Sequence, residues 1–250
     1  MLEIQHLTAG YPKNTVLQKI SLTFQAGAVT VVAGPNGCGK STLLKAIAGI
    51  LPSSGQMLLD GEAICALPSR CRAQRIAFLP QNRQVPEITV GRLVLHGRFP
   101  YLTYPRQYRK ADHAAADAAM AALNLSDLAE RPLTSLSGGQ RQKVYIAMAL
   151  AQDTDVVLLD EPTTFLDIAH QLQLMALAKE LAAKGKTVVL VLHDLTLALE
   201  YADALVIMDN GAVAAQGTPA EVFQSGCVKQ VFGTDVGRTQ VNQTWKYYYL

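Results

Sequence analysis

The chain contains the octapeptide Gly34-Pro35-Asn36-Gly37-Cys38-Gly39-Lys40-Ser41, which fits the pattern G-x-x-x-x-G-K-[ST]. It follows Ala28–Ala33, a β-branched apolar run that predicts a buried strand, and it precedes a helical pattern over residues 41–50 that ends near Gly49. Glycines let such a loop fold into a nest of N–H groups that binds phosphate oxygens, and the helix adds the positive end of its dipole. The strand, loop and helix together predict a nucleotide site.

The chemistry of this loop assigns roles to its last residues. We expect Lys40 to reach the β- and γ-phosphates of ATP, and Ser41 to offer its hydroxyl to Mg²⁺, with Thr42 beside it in the binding set. Two other interpretations are weaker. A chance glycine-rich turn does not account for the flanking strand and helix, and a dinucleotide fingerprint has its glycines in the order G-x-G-x-x-G, whereas here they run G-x-x-G-x-G.

Composition excludes several classes of protein. Half of the 250 residues are hydrophobic, yet no run of eighteen apolar residues occurs, so we expect a soluble chain that does not span a bilayer. The first residues lack the features of a signal peptide, which predicts a cytoplasmic location. A net charge of +2 does not favour nucleic acid. The four cysteines have no C-x-x-C spacing, so we expect neither a zinc site nor disulfides. Cys38 lies beside Lys40 and a predicted helix N-terminus, which favour its thiolate, so we expect maleimide to react with it and bound ATP to protect it; the alternative is a shielded, inert thiol.

Hydrophobic patterning predicts an α/β core. Short unalternating runs are typical of strands buried on both faces of a parallel sheet, and they lie at Val29–Ala33, Ile76–Leu79, Val156–Leu159, Val188–Leu192 and Leu205–Met208. A helical pattern covers Ile168–Ala183. The first residues alternate like an edge strand, and the region to Phe24 is expected to be antiparallel, with a turn over residues 11–14. Residues 89–151 predict a helical insertion.

Two carboxylates end one of the predicted core strands. Asp160 and Glu161 follow the run Val156–Leu159, at the edge of the sheet where open α/β folds bind ligands. Asp160 is placed to hold Mg²⁺ through water, and Glu161 is placed to orient or deprotonate an attacking water. The alternative is that both residues only cap the strand end.

A second phosphate-binding device is predicted far along the chain. In Leu136-Ser137-Gly138-Gly139-Gln140, Ser137 is expected to be the N-cap of a helix, and the two glycines let the backbone approach a ligand closely. The chain already has one phosphate loop. A second device is therefore redundant unless it serves the nucleotide of another chain.

Together these motifs resemble the ATP-binding subunits of ABC transporters over nearly the whole chain. The resemblance implies a P-loop NTPase (RecA-like) core with an antiparallel β subdomain, over about residues 1–82 and 153–250, and an inserted helical signature subdomain over about 83–152. It implies that two copies pack head to tail, with each ATP between the phosphate loop of one chain and Ser137–Gln140 of the other. The implied partners are two polytopic membrane permeases and, indirectly, a substrate-binding protein, at the cytoplasmic face of the inner membrane.

The same resemblance assigns further residues. Tyr11 matches the aromatic that stacks on adenine, and Gln81 matches the glutamine that senses the γ-phosphate and Mg²⁺. His193 matches the switch histidine, and Thr164–Asp167 matches a loop that contacts the partner chain, although Phe165 departs from the usual Ser-Ala-Leu-Asp. The simpler interpretations are a turn aromatic for Tyr11, a solvated amide for Gln81 and a core histidine for His193.

The segments His96–Pro100 and Thr163–Gln171 are similar to ATPases of iron–siderophore uptake systems, and haem and cobalamin importers share much of this pattern. The expected function is therefore the ATPase of a bacterial importer of iron chelates. Alternatives are the ATPase of a cobalamin, zinc or manganese importer, and a soluble ABC ATPase of DNA repair or translation, which would be expected to carry two cassettes or long insertions. A P-loop kinase would have no use for Leu136–Gln140.

Overall fold

A computed structural model of the chain describes residues 1–81, 84–242 and 244–250. Its strands are β1 (Leu2–Tyr11), β2 (Asn14–Phe24), β3 (Val29–Ala33), β4 (Ser53–Leu59), β5 (Glu62–Ala63), β6 (Ile76–Leu79), β7 (Val156–Asp160), β8 (Thr187–Val191), β9 (Ala204–Asp209), β10 (Ala212–Gly217), β11 (Val236–Val241) and β12 (Thr244–Tyr249). Its α-helices are α1 (Lys40–Ile47), α2 (Ser69–Ala73), α3 (Val90–His96), α4 (Lys110–Ala122), α5 (Gly138–Ala151), α6 (Ile168–Ala183), α7 (Leu195–Tyr201), α8 (Pro219–Gln224) and α9 (Cys227–Phe232).

The centre of the fold is a six-stranded sheet with the order β10-β9-β3-β8-β7-β6. Five of these strands are parallel, and β10 runs antiparallel to β9. Successive residues of β8 point into opposite halves of the core: Val188 and Leu190 pack with the helices on one face, whereas Val189 and Val191 pack with α1 and the first strands on the other. The predicted α/β core with strands buried on both faces is confirmed.

A four-stranded antiparallel sheet, in the order β2-β1-β4-β5, covers one face of the central sheet. The predicted turn after Tyr11 is confirmed, because β1 and β2 pair from Leu2 with Phe24 to Tyr11 with Asn14. The prediction that β1 is an edge strand is wrong, since β1 pairs with β2 on one side and with β4 on the other. Alternation reports that one face of a strand is buried, not how many neighbours the strand has.

The region between β6 and β7 is helical, as predicted, and α3, α4 and α5 pack on one another. A part-buried ion pair, 3.1 Å between Arg98 Nε and Asp112 Oδ1, ties the segment just after α3 to α4. The proposed subdomain boundary between residues 82 and 83 lies outside the described residues and stays a prediction. In the part of the chain that the structure describes, none of the helices has both the length and the apolar character needed to cross a membrane.

The topology gathers the predicted site residues at one edge of the central sheet. The phosphate loop follows β3, Asp160 is the last residue of β7, and Gln81 and His193 each lie two residues beyond the ends of β6 and β8. Because parallel strands carry their carboxyl ends on the same edge, all these segments meet where open α/β sheets bind ligands.

Candidate functional site

The phosphate loop makes a tight turn just before α1, and the residue at this turn, Gly39, has a conformation that favours glycine. Gly39 has a φ of 108°, and a Cβ atom there would lie 2.7 Å from the Leu17 side chain. Its carbonyl accepts the first bond of α1, from the N–H of Leu43 at 2.9 Å. The loop backbone therefore turns directly into the N-terminus of α1, as a phosphate cradle requires.

Lys40 lies at the first position of α1 and is almost fully buried. Its Nζ donates to the carbonyl oxygens of Gly34 at 2.7 Å and Pro35 at 2.8 Å, so the ammonium is held over the loop. Charge-assisted bonds to phosphate are stronger than bonds to neutral carbonyls. A phosphate in the loop can therefore draw the ammonium to itself without a change in the fold.

Ser41 and Asp160 face each other across the base of the site. Ser41 Oγ donates to Asp160 Oδ1 at 3.0 Å, and the Asp160 carboxylate is fully buried at the end of β7. Burial raises the pKa of Asp160, and the hydrogen bond from Ser41 opposes this shift. A cation beside Asp160 would compensate its buried negative charge.

This donor set fits Mg²⁺ bound with a nucleotide. Hydroxyl and carboxylate oxygens are hard ligands, and Mg²⁺ usually takes one or two protein oxygens and completes its shell with phosphates and water. Among the described residues, no cluster of three or more His, Cys, Asp or Glu side chains could hold a metal ion alone. Any Mg²⁺ at Ser41 and Asp160 would therefore depend on the phosphates for its remaining ligands.

Glu161 is the centre of a small polar cluster above the loop. Its side chain is only 10% exposed and it adopts a left-handed backbone conformation, φ 51°, just beyond β7. Gln81 Nε2 donates to one carboxylate oxygen, and His193 Nε2 lies 2.6 Å from the other. The two neighbours fix the plane of the carboxylate, so that it is oriented before any substrate arrives.

These groups line one polar cleft of about 520 Å³. Lys40, Ser41, Gln81, Glu161 and His193 lie along it, and Tyr11 stands at its outer end with 45% of its surface exposed. The sequence-predicted residues that contribute to the walls of this cleft also include Asn36, Gly37, Gly39 and Thr42. The cleft therefore joins an exposed ring at one end to a phosphate cradle and a held carboxylate at the other.

The second predicted device lies in a different cleft. Ser137 is the N-cap of α5, as predicted, and its hydroxyl accepts the N–H of Gln140 at 3.2 Å while its own N–H donates to Gln140 Oε1 at 3.0 Å. Ser137, Gly139 and Gln140 line a cleft of about 460 Å³ together with Phe165 and His170. Gly138 also packs against Phe165. Within one chain, the structure does not bring Ser137–Gln140 to the phosphate loop.

Cys38 differs from the expectation of an activated thiol. Its neighbours Lys40 and α1 would favour a thiolate, but the side chain is 5% exposed, and this burial outweighs the Lys40 charge and raises the pKa of Cys38. The prediction of a reactive Cys38 is therefore wrong in its physical premise.

Three residues at the outer end of the cleft were not among the predicted site residues. Asn14 and Val16 of β2 line it because the hairpin folds β2 back beside Tyr11. Lys45 Nζ lies 3.3 Å from Tyr11 Oη, which connects α1 to that ring. The turn after Tyr11 was the only signal that could have placed β2 here, and no local pattern marks Lys45.

Comparisons with known proteins agree with this geometry. The ABC transporter family model matches residues 17–164. The chain is 48% identical to the achromobactin transport ATP-binding protein CbrD of Dickeya dadantii (strain 3937), over 92% of this chain and 87% of that protein. It is 44% identical to the ferric enterobactin transport ATP-binding protein FepC of Escherichia coli (strain K12), over 92% and 86%.

A solved structure extends the likeness to three dimensions. It is a dimer of the ATP-binding cassette MJ0796 in a post-hydrolysis state with ADP and Pi bound; its TM-score is 0.77 at 27% identity, covering 88% of this chain and 99% of that one. The family match spans more than half of the chain, and the relatives cover it nearly end to end. The chain therefore belongs to the ABC transporter family, as an ATP-binding cassette that hydrolyses ATP.

Proposed function

We propose that this cassette powers a bacterial importer of iron chelates, siderophore or haem. In this proposal two copies work with two polytopic permease subunits at the cytoplasmic face of the inner membrane, and a substrate-binding protein delivers the cargo to the permeases. No nucleic acid takes part. The cassette itself supplies energy, and the permeases and the binding protein select the cargo.

The cargo class is supported by what the relatives are named for. They include proteins for transport of achromobactin and ferric enterobactin, and a hemin import ATP-binding protein of Rhodococcus jostii (strain RHA1) that is 42% identical over 88% of this chain. The described site offers no contrary signal, since its cleft is lined by groups suited to ATP. A cargo other than an iron chelate would have to be recognised by the permeases.

The observation that carries the mechanism is the separation of two phosphate-binding devices on one chain. Lys40 and its loop lie in one cleft, and Ser137–Gln140 lies in another. In a head-to-tail pair of copies, each Ser137–Gln140 segment would cover the γ-phosphate held by the partner's loop. ATP then joins the two copies, and its hydrolysis releases them.

The residues of the first cleft have defined roles in this proposal. Lys40 binds the β- and γ-phosphates, and the ring of Tyr11 packs against the base. Glu161 takes a proton from the attacking water while the water oxygen bonds to the γ-phosphorus. The bond between the γ-phosphorus and the oxygen that bridges it to the β-phosphate breaks, which gives ADP and phosphate. His193 holds Glu161 in place, and Gln81 links the cluster to the segment that leads into the helical region.

Mg²⁺ would be held by Ser41 and Asp160, with Gln81 near its shell, and when bound it neutralises charge on the phosphate oxygens. Such a cation would compensate the negative charge of the buried Asp160 carboxylate. Binding of the metal and of the nucleotide is therefore coupled.

Transport itself tests the proposal. The complete complex is reconstituted in liposomes, and ATP-driven uptake of ferric siderophore, haem, cobalamin and a free divalent metal ion is compared. A complex with Glu161→Gln in this subunit is the matched control for uptake that does not need hydrolysis. Uptake of a ferric siderophore or haem, absent in the control, is expected. Uptake of only cobalamin or bare metal contradicts the cargo, and failure to bind any permease contradicts the transporter role.

A further inference from the structure

The hairpin β11–β12 lies against α7, the helix that begins two residues after His193. Strand β12 packs on α7 and is hydrogen-bonded to it at both ends of the helix. Toward the end of α7, Glu200 accepts from Lys246 Nζ at 2.6 Å and from the N–H of Tyr247 at 3.3 Å. The Tyr247 ring also packs edge-on against Phe223 of α8 at 5.4 Å. The hairpin is thus anchored to the body of the cassette.

The second contact is at the first residue of α7. The N–H of Leu195 donates to the hydroxyl oxygen of Tyr249 at 3.1 Å. The first N–H groups of a helix have no partner within the helix, so they need outside acceptors. The Asp194 carboxylate accepts from the N–H groups of Thr196 at 2.9 Å and Leu197 at 3.1 Å. Tyr249 is the acceptor for the N–H group of Leu195.

Tyr249 is suited to this role at neutral pH. Burial raises the pKa of its hydroxyl, and the charge of Asp194 adds to that shift. The hydroxyl therefore keeps its proton and stays a neutral group beside the helix end. Its oxygen accepts from the N–H of Leu195.

The start of α7 affects the position of His193 because the backbone of His193 is held closely by its neighbours. The residues on either side of the pair His193-Asp194 are both buried, Leu192 at 1% exposure and Leu195 at 3%. The N–H of Leu192 donates to the carbonyl of Val32 in the neighbouring strand at 3.3 Å. The backbone of His193 is therefore fixed on one side by the sheet and on the other by the start of α7.

We infer that Tyr249 is a positioning residue for hydrolysis: its hydroxyl fixes the start of α7 and so holds His193 within hydrogen-bond reach of Glu161. This inference rests on the proposed roles of His193 and Glu161. It assigns to the hairpin a part in catalysis although none of the hairpin residues that the structure describes lines the nucleotide cleft.

The test removes only the hydroxyl. Tyr249→Phe is compared with Tyr248→Phe, the same change at the adjacent position of β12, where the residue is about as exposed (46% against 51% for Tyr249) but packs over Gly237 of β11 instead of the start of α7. Loss of one hydrogen bond at the helix start is expected to lower the kcat of ATP hydrolysis about three- to ten-fold. The KM for ATP and the Tm should stay close to wild type, because the phosphate loop and the core are untouched. Tyr248→Phe should keep the wild-type kcat.

A double-mutant cycle separates positioning from a general structural effect. If Tyr249 acts through His193, the double variant Tyr249→Phe, His193→Ala should hydrolyse ATP no more slowly than His193→Ala alone. Losses that multiply overturn the inference, as does a wild-type kcat for Tyr249→Phe or an equal loss in Tyr248→Phe. A wild-type kcat for His193→Ala instead removes that histidine from the proposed mechanism, which is a separate failure.

Discussion

Glu161→Gln tests whether the held carboxylate is the base of the reaction. The substitution keeps the size of the side chain and replaces one acceptor oxygen by an amide nitrogen. The amide oxygen can still accept from Gln81, and a neutral His193 can accept from the amide nitrogen through Nε2. Both neighbours in the structure therefore keep a partner, and the fold and the ATP cleft should be unchanged.

The expected effect is on the chemical step alone. General-base catalysis contributes about 10²- to 10⁴-fold to a rate, which corresponds to about 2.7–5.4 kcal/mol of transition-state stabilisation. We expect kcat to fall by this factor while ATP binding, followed with a fluorescent nucleotide, stays within about two-fold of wild type. Because ATP is not cleaved, a dimer should accumulate in size-exclusion chromatography with ATP and Mg²⁺.

Glu180→Gln is the matched control, since this glutamate is exposed on α6. It should hydrolyse ATP like wild type and show no lasting dimer. If Glu161→Gln keeps a kcat within about five-fold of wild type, Glu161 is not the base. If its rate falls but no dimer appears with ATP, the shared-nucleotide geometry is wrong.

Three further outcomes follow from burial and charge. In the folded protein, maleimide should label the exposed Cys65 and Cys71 well before Cys38, because the Cys38 thiol is buried and has a raised pKa. Quantitative mass spectrometry of the labelled cysteines measures these rates, and equal rates at Cys38 and Cys65 contradict the expectation. Asp160→Asn should raise the Tm of the nucleotide-free protein at neutral pH and weaken nucleotide binding. Burial puts the pKa of Asp160 in the folded protein above its ordinary 3.8, so ionisation of Asp160 destabilises the fold as the pH rises past that value. The gain in Tm of Asp160→Asn over wild type should therefore vanish below about pH 3.8. A Tm of Asp160→Asn below that of wild type at pH 7 contradicts this expectation. Arg98→Met should leave the Asp112 carboxylate with the N–H of Arg109 as its remaining donor and lower the free energy of unfolding by about 1.5–3 kcal/mol in urea titration; a loss under about 0.5 kcal/mol contradicts a structural role for this pair.

The local sequence pattern was enough to predict the strands of the core and the phosphate loop. The runs around Val31 and Leu158 lie in central strands because such apolar β-branched segments are stable only when both faces are covered. Asp160 was placed correctly at the end of its strand because its position depends on where the apolar run ends, whereas His193 was assigned through the family resemblance. These features are decided within a few residues of sequence.

Features that depend on distant segments were not predictable in this way. The alternation of β1 does not reveal that β4 also pairs with it. The chemical neighbours of Cys38 are visible in the sequence, but its burial is set by packing of the loop on the core, and this reverses the direction of the pKa shift. The contact of Tyr249 with Leu195 spans 54 residues, and no local pattern of residues 236–249 points to it.

Mixing two disabled variants tests directly whether each nucleotide is shared by two copies of the chain. Both variants carry Glu161→Gln, so that ATP is not cleaved. One also carries Lys40→Ala, which removes the phosphate-binding ammonium. The other carries Gly138→Asp, which puts a carboxylate into the second device; a Cβ at this position makes ordinary contacts with Phe165, so the fold should be kept.

Each variant alone should remain monomeric with ATP and Mg²⁺, since every possible site lacks one half. In the mixture, one site combines the intact loop of the Gly138→Asp chain with the intact Ser137–Gln140 of the Lys40→Ala chain. An ATP-dependent dimer is therefore expected in size-exclusion chromatography of the mixture only. A mixture that stays monomeric, or a dimer formed by either variant alone, would contradict it.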